Sequence, residues 1–169
     1  LATFGCFHYT EDSENASLSF GFIKKNIFIT GAAGYVGAML CDQFSKRSDV
    51  GKIIALDKEA MPEFLSGNEK MVWITANTAD GSWQERVASE RPDVVIHTAW
   101  QIRALYGRPK TTWKWNVEGS RAVFDFAFTM SSVRRLIYFS TASIYGAYET
   151  NTFEHYFKEE EPMRESEYL

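Results

Sequence analysis

The segment from Thr30 to Gly37, TGAAGYVG, most constrains what this chain can fold into, because it follows the apolar run Ile27-Phe28-Ile29 and precedes a helical pattern. Glycines at 31, 34 and 37 have separate tasks in a strand-turn-helix unit. Gly31 permits a tight turn, Gly34 lets the backbone approach a pyrophosphate, and Gly37 lets the helix pack closely on its strand. Free N–H groups in the first helical turn, with the positive end of the helix dipole, then favour phosphate. Gly31, Ala33, Gly34, Tyr35, Val36 and Gly37 are therefore the expected phosphate-binding loop.

A second apolar run, Ile53-Ile54-Ala55-Leu56, ends at Asp57, twenty residues beyond Gly37. A carboxylate at the end of a second strand is placed to accept hydrogen bonds from the adenosine ribose hydroxyls and to repel a 2'-phosphate. NAD is thus favoured over NADP. Lys58, directly after it, leaves some room for a phosphate, and Asp57 can also be read as a plain polar strand terminus.

Size and charge narrow the rest. A chain of 169 residues, 45% of them hydrophobic, has room for one domain with a sizeable core. A net charge of -4 argues against a general nucleic-acid binder, which usually shows a basic face. No apolar run approaches the roughly eighteen residues that suggest a membrane span. The first twenty-two residues hold His8, Glu11, Asp12 and Glu14 and lack a signal-like apolar stretch, so the expected location is cytoplasmic. Cys6 and Cys41 have no metal-like spacing and read as free thiols; no metal is expected. Residues 1–22 start without Met and show no periodicity, so they read as an extension of unknown role, and residues 23–169 as the domain.

Along that domain, apolar segments suited to strands alternate with helical patterns. Tyr35 to Lys46 carries Val36, Met39, Leu40 and Phe44 at helical spacing. Strands are expected over roughly 52–56, Met71 to Ile74, Val94 to Ile96 and Leu136 to Phe139, with a short helix from Ser82 to Arg91 and a longer one over about Thr112 to Ser131. The longer helix would turn Val117, Val123, Phe124 and Ala127 inward. The pattern predicts a Rossmann-like α/β fold: a doubly wound parallel sheet of about five strands with helices on both faces. Glu159-Glu160-Glu161-Pro162 reads as a solvated acidic loop.

Taken in order, TGAAGYVG, Asp57, VVIHTAW at 94–100, NVEGS at 116–120 and FSTASIYG at 139–146 resemble the extended short-chain dehydrogenase/reductase family, most closely its NAD-dependent epimerase/dehydratase branch. The resemblance covers about Lys24 to Leu169. It implies a nicotinamide cofactor and a catalytic set of Asn, Ser or Thr, Tyr and Lys, with the Tyr as acid/base. Thr141 matches the Ser/Thr, whose hydroxyl would hydrogen-bond the substrate oxygen; it can also simply terminate the fifth strand. Asn116 matches the Asn, and is equally readable as a helix-start residue. Cofactor contacts carried over by position are Asn77 and Thr78 beside the adenine, and Thr98, Ala99 and Trp100 beneath the cofactor. The family usually has a small residue where Trp100 stands, so its bulk either shapes the substrate pocket or packs in the core. His97 is read as structural.

The resemblance also exposes a departure. The resemblance implies a Tyr-x-x-x-Lys pair shortly after an acidic, Pro-containing loop such as 159–162, but Tyr145 is followed four positions on by Glu149 and Tyr156 by Glu160, while Tyr168 precedes only Leu169, so the chain is expected to end just before the pair. The expectation is an amino-terminal fragment, a sheet incomplete at its carboxyl end and without the substrate-binding part, limited to cofactor binding. Ala142 and Ser143 stand where related dehydratases often carry an acidic pair, which favours an epimerase or simple oxidoreductase. Such a parent enzyme would act on a sugar or sugar nucleotide by hydride transfer through a keto intermediate, and would dimerise through helices such as the one near 112–131. The polar, aromatic stretch Gln101 to Trp115, with Arg103 and Arg108, would meet a phosphate or sugar, or equally be a solvated helix end. The competing expectation is a non-catalytic dinucleotide-sensing module of the same fold.

Overall fold

The computed structural model of the protein describes residues 24–103, 106–146, 152 and 157–163. The proposed extension at 1–22, Cys6, Tyr156 and Tyr168 lie outside the described residues. Five parallel strands form one sheet: β1 Lys25–Thr30, β2 Val50–Asp57, β3 Met71–Thr75, β4 Val94–His97 and β5 Arg135–Tyr138. Their spatial order is β3-β2-β1-β4-β5, so the chain winds outward from β1 in one direction and then returns to its other side. The β2–β3 crossover carries only the short 3₁₀ turn Glu63–Leu65, and the other three crossovers carry longer helices. These are α1 Tyr35–Ser45, α2 Gln84–Ser89 and a composite helix of α3 Pro109–Trp113, a π-helical turn Lys114–Glu118 and α4 Gly119–Thr129.

The near-continuous apolar strands follow from burial on both faces. Ile27, Ile29, Ile53, Ala55 and Ile96 point to the face covered by α1, where they meet Ala38 and Cys41. Phe28, Ile54, Leu56 and Val95 point to the opposite face, against Val87 of α2 and Val123, Phe126 and Ala127 of α4. Phe28, Trp83 and Phe126 form an aromatic cluster there, with ring centroids 5.2–5.9 Å apart. At the opposite end of the strands from the glycine turn, Asn26 ties the sheet together. Its amide donates to Glu90 O at 2.8 Å and its Oδ1 accepts from Lys52 N at 3.1 Å.

Two helices differ from expectation. The inner stripe of α1 is Gly37, Ala38 and Cys41, flanked by Leu40 and Phe44, while Val36 and Met39 are exposed. Small residues win those positions because the helix starts in contact with the glycine turn, where larger side chains have no space. The long helix begins at Pro109, whose missing N–H costs nothing in a first turn, and it ends at Thr129. Its inward face includes Phe126, which the periodicity did not single out, whereas Phe124 is half-buried against His97 and Tyr138. Glu159 and Glu160 are exposed, in keeping with a solvated loop.

Candidate functional site: a cleft at the strand ends

The winding direction reverses between β1 and β4, and a crevice opens beyond the carboxyl ends of these strands. An open cleft lies there. Gly31, Gly34, Thr98, Ala99, Trp100, Gln101 and Asn116 line it beyond β1 and β4, and Leu56, Asp57, Lys58, Ala76, Asn77, Thr78 and Trp115 line it toward β2 and β3.

The glycine turn is built for close approach. Gly31 has φ +71°, and a Cβ there would stand 2.7 Å from the Ala99 backbone nitrogen. A Cβ on Gly37 would collide with the carbonyl oxygen of Gly31. The backbone N–H of Ala33 donates to Asp57 Oδ2 at 2.9 Å, and that of Glu59 donates to Oδ1 at 3.0 Å. A carboxylate oxygen has a further lone pair for a ribose hydroxyl. Asn77 caps a short 3₁₀ turn, its Oδ1 accepting from Ala79 N at 2.9 Å, and Thr78 is buried, with its carbonyl accepting from Trp83 Nε1 at 3.0 Å.

Across the cleft, Thr98 Oγ1 donates to Thr30 O at 2.7 Å, binding the ends of β1 and β4. Asn116 sits inside the π-helical turn and is buried, so it is not a helix-start residue. Its side chain accepts from Gln101 N at 2.7 Å and donates to Gln101 O at 3.1 Å, clamping the loop after β4. Trp100 is 51% exposed and lines the cleft, which removes the core-packing reading.

His97 is structural, and its partners fix its tautomer. Ser120 Oγ donates to Asn116 O at 2.5 Å, so it accepts from His97 Nε2 at 2.9 Å, leaving Nδ1 to accept from Thr30 Oγ1 at 2.6 Å. Burial lowers the imidazole pKa to about 4. The ring is neutral and joins β1, β4 and α4.

Ten of the expected site residues therefore meet in one cleft: Gly31, Gly34, Asp57, Lys58, Asn77, Thr78, Thr98, Ala99, Trp100 and Asn116. Ala33, Tyr35, Val36 and Gly37 do not line it. Gly37 is buried behind the turn, Ala33 is held by Asp57, and the Tyr35 side chain is exposed. Thr141 is not among the lining residues either. It caps the 3₁₀ turn Ala142–Tyr145, its Oγ1 accepting from Ser143 N at 3.2 Å. Arg103 and Arg108 are exposed and outside the lining. Leu56 and Ala76 line the cleft without having been expected to, and Gln101 and Trp115, the ends of the stretch expected to meet a phosphate or sugar, line it as well. A Tyr-x-x-x-Lys spacing does occur upstream, at Tyr106 and Lys110, but Tyr106 is fully exposed and neither residue lines the cleft.

A family model described as the NAD dependent epimerase/dehydratase family matches residues 27–168. The chain belongs to this family. Among its relatives, an Arabidopsis thaliana trifunctional UDP-glucose 4,6-dehydratase/UDP-4-keto-6-deoxy-D-glucose 3,5-epimerase/UDP-4-keto-L-rhamnose-reductase is 28% identical over 72% of this chain and 20% of its own length. The solved epimerase Mth375 of Methanothermobacter thermautotrophicus is 27% identical, with a TM-score of 0.63 over 74% of this chain and 38% of that one. The Bordetella bronchiseptica enzyme WbmH, solved in complex with NAD+, is 25% identical, with a TM-score of 0.66 over 76% of this chain and 43% of that one. The chain spans less than half the length of each of these family relatives.

Proposed function

We propose that this chain is the cofactor-binding part of an NAD-dependent epimerase or oxidoreductase acting on a sugar or sugar nucleotide. The observation that carries this reading is the pairing, in one cleft, of a side-chain-free turn at Gly31 and Gly34 with the Asp57 carboxylate. The turn leaves room for a pyrophosphate beside the first N–H groups of α1, and Asp57 offers acceptors for a ribose; a structural relative solved with NAD+ at 25% identity agrees with it. The Asp57 carboxylate, at the end of β2 in the cleft, repels a 2'-phosphate, which favours NAD over NADP.

NAD, when bound, would supply a hydride acceptor for a carbinol carbon of the substrate. This chain's residues hold the dinucleotide and shape the loop beside it. Asn116 fixes the loop through Gln101, and Thr141 takes the substrate oxygen by its place in the family motif alone. Replacing Thr141 by Ala in the whole protein is expected to lower turnover of a nucleotide sugar with NAD affinity nearly unchanged; unaltered turnover would overturn the assignment.

The position of Thr141 outside the cleft lining, with its hydroxyl shared with Ser143, favours a second reading, a dinucleotide-sensing module without turnover. NAD binding without turnover of any nucleotide sugar by the whole protein would select it. We further propose a cytoplasmic location and, from the family resemblance, a homodimer of the whole protein to which α4 contributes; among the described residues no helix is long and apolar enough to cross a membrane.

A further inference from the structure

The β2 side of the cleft ends in an arrangement that none of the sequence motifs marks. Trp115, in the π-helical turn, lines the cleft together with Asp57, Lys58 and Asn77. The Lys58 ammonium lies over the Trp115 indole, 5.4 Å from the ring centroid, and is also paired with Glu59 at 2.5 Å.

We propose that Trp115 is the platform on which the adenine ring stacks, and that Lys58 covers this platform until adenine displaces it. The inference rests on the dinucleotide reading of the cleft. With pyrophosphate at Gly31 and Gly34 and ribose at Asp57, the base must extend past Asp57, away from the glycine turn. Of the cleft residues on that side, Leu56 and Ala76 offer small apolar walls, Asn77 and Thr78 are tied into the 3₁₀ turn, and Trp115 alone offers an aromatic face. Trp100, the other indole in the cleft, follows β4 and belongs to the opposite side.

Position in the helix explains why Trp115 and Asn116 both line the cleft. A π-helical turn takes more residues per turn than an α-helix, so successive side chains are less widely separated around the axis. Asn116 turns to the Gln101 loop while Trp115 faces β2.

Lys58 is a suitable cover because its hold on the ring is weak. A cation over an indole at an exposed site is a small attraction, and the Lys58 side chain is 40% exposed, with Glu59 ready to keep its charge paired after it leaves. A purine stacked on an indole is the stronger contact. Adenine therefore takes the face, and Lys58 taxes its arrival modestly.

Titration of the 169-residue chain with ADP-ribose, followed by calorimetry and by tryptophan fluorescence, tests this. Trp115→Leu is expected to weaken ADP-ribose binding about tenfold or more, and Trp115→Phe to stay within about threefold of the parent. Lys58→Met is expected to tighten binding about two- to fivefold. ADP-ribose should quench fluorescence in the parent chain and do so far less in Trp115→Phe. Circular dichroism checks that the variants fold; should Trp115→Leu unfold, the quenching difference and the Lys58→Met gain carry the test. Parent-like binding by a folded Trp115→Leu, equal quenching in Trp115→Phe, or weaker binding by Lys58→Met would overturn the proposal while leaving the dinucleotide reading intact. Absence of saturable ADP-ribose binding by the parent chain would overturn both.

Discussion

The backbone N–H of Ala33 is hydrogen-bonded to the side chain of Asp57 at 2.9 Å, joining the glycine turn after β1 to the end of β2. One carboxylate thus holds the loop in place and presents acceptors to the cleft. Its second oxygen, engaged by Glu59 N at 3.0 Å, keeps the group from rotating. Ligand recognition and loop geometry are consequently coupled at a single side chain.

Asp57→Ala is expected to weaken NAD binding at least about tenfold, since hydrogen bonds to a charged group contribute about 1.5–3 kcal/mol each. Asp57→Asn keeps one acceptor oxygen and removes the negative charge. It should lose less NAD affinity than Asp57→Ala and should raise NADP affinity relative to NAD. Calorimetric titration with both dinucleotides checks this; an unchanged NADP-to-NAD ratio in Asp57→Asn would show that the carboxylate does not face the ribose.

His97 makes stability depend on pH. Its pKa is about 4 in the folded chain, against an ordinary 6.5, because burial disfavours the imidazolium. Between these values the unfolded chain binds the extra proton, so stability is complete above about pH 6.5 and falls as pH falls toward 4. The loss from this group amounts to about 2 kcal/mol by pH 5 and about 3 kcal/mol by pH 4. Urea unfolding midpoints at pH 7 and pH 5 measure it. His97→Gln should lower stability at pH 7 and flatten the slope between the two pH values; a slope equal to that of the parent would mean that His97 does not titrate this way.

Gly37 and Gly67 separate collision from backbone strain. At Gly37 an added methyl meets the Gly31 carbonyl, which is held in the turn and cannot yield; at Gly67, φ is +76° and nothing lies within 4 Å of the added atom. Gly37→Ala is therefore expected to cost about 3 kcal/mol, and Gly67→Ala about 1 kcal/mol. Thermal melts of the two variants compare them, and equal losses would contradict the packing described for α1.

Cys41 is buried on the inner stripe of α1, and burial pushes its thiol pKa up to about 12. A thiol that does not ionise is unreactive. Alkylation followed by peptide mapping should find Cys41 unmodified in the native chain and modified in urea; rapid native labelling would place α1 away from the sheet.

Much of this molecule was legible in its sequence, for local reasons. Strands β1, β2 and β4 are short runs of Ile, Val, Leu and Phe buried on both faces, and such runs declare themselves without tertiary information. Gly31 and Asp57 are legible because a positive φ and a strand-end carboxylate each constrain residue type. Gln101 and Trp115 were marked only as the ends of a polar, aromatic stretch, and Trp115 was not singled out because a π-helical turn shifts which helical positions face the cleft and no simple periodicity encodes it. The exposure of Val36 and Met39 was missed for a related reason: the helical pattern finds apolar residues, while close packing at the glycine turn selects Gly37, Ala38 and Cys41. Thr141 was picked out by its motif, yet in this structure its hydroxyl serves a local cap. A motif fixes identity and order, and distance to a substrate depends on the whole fold.

Calorimetric titration of the 169-residue chain with NAD tests most directly whether the cleft between β1 and β4 is a dinucleotide site. The expected result is saturable binding of one NAD per chain, competed by ADP-ribose, with NADP bound more weakly. No saturable binding, or tighter binding of NADP than of NAD, would contradict it.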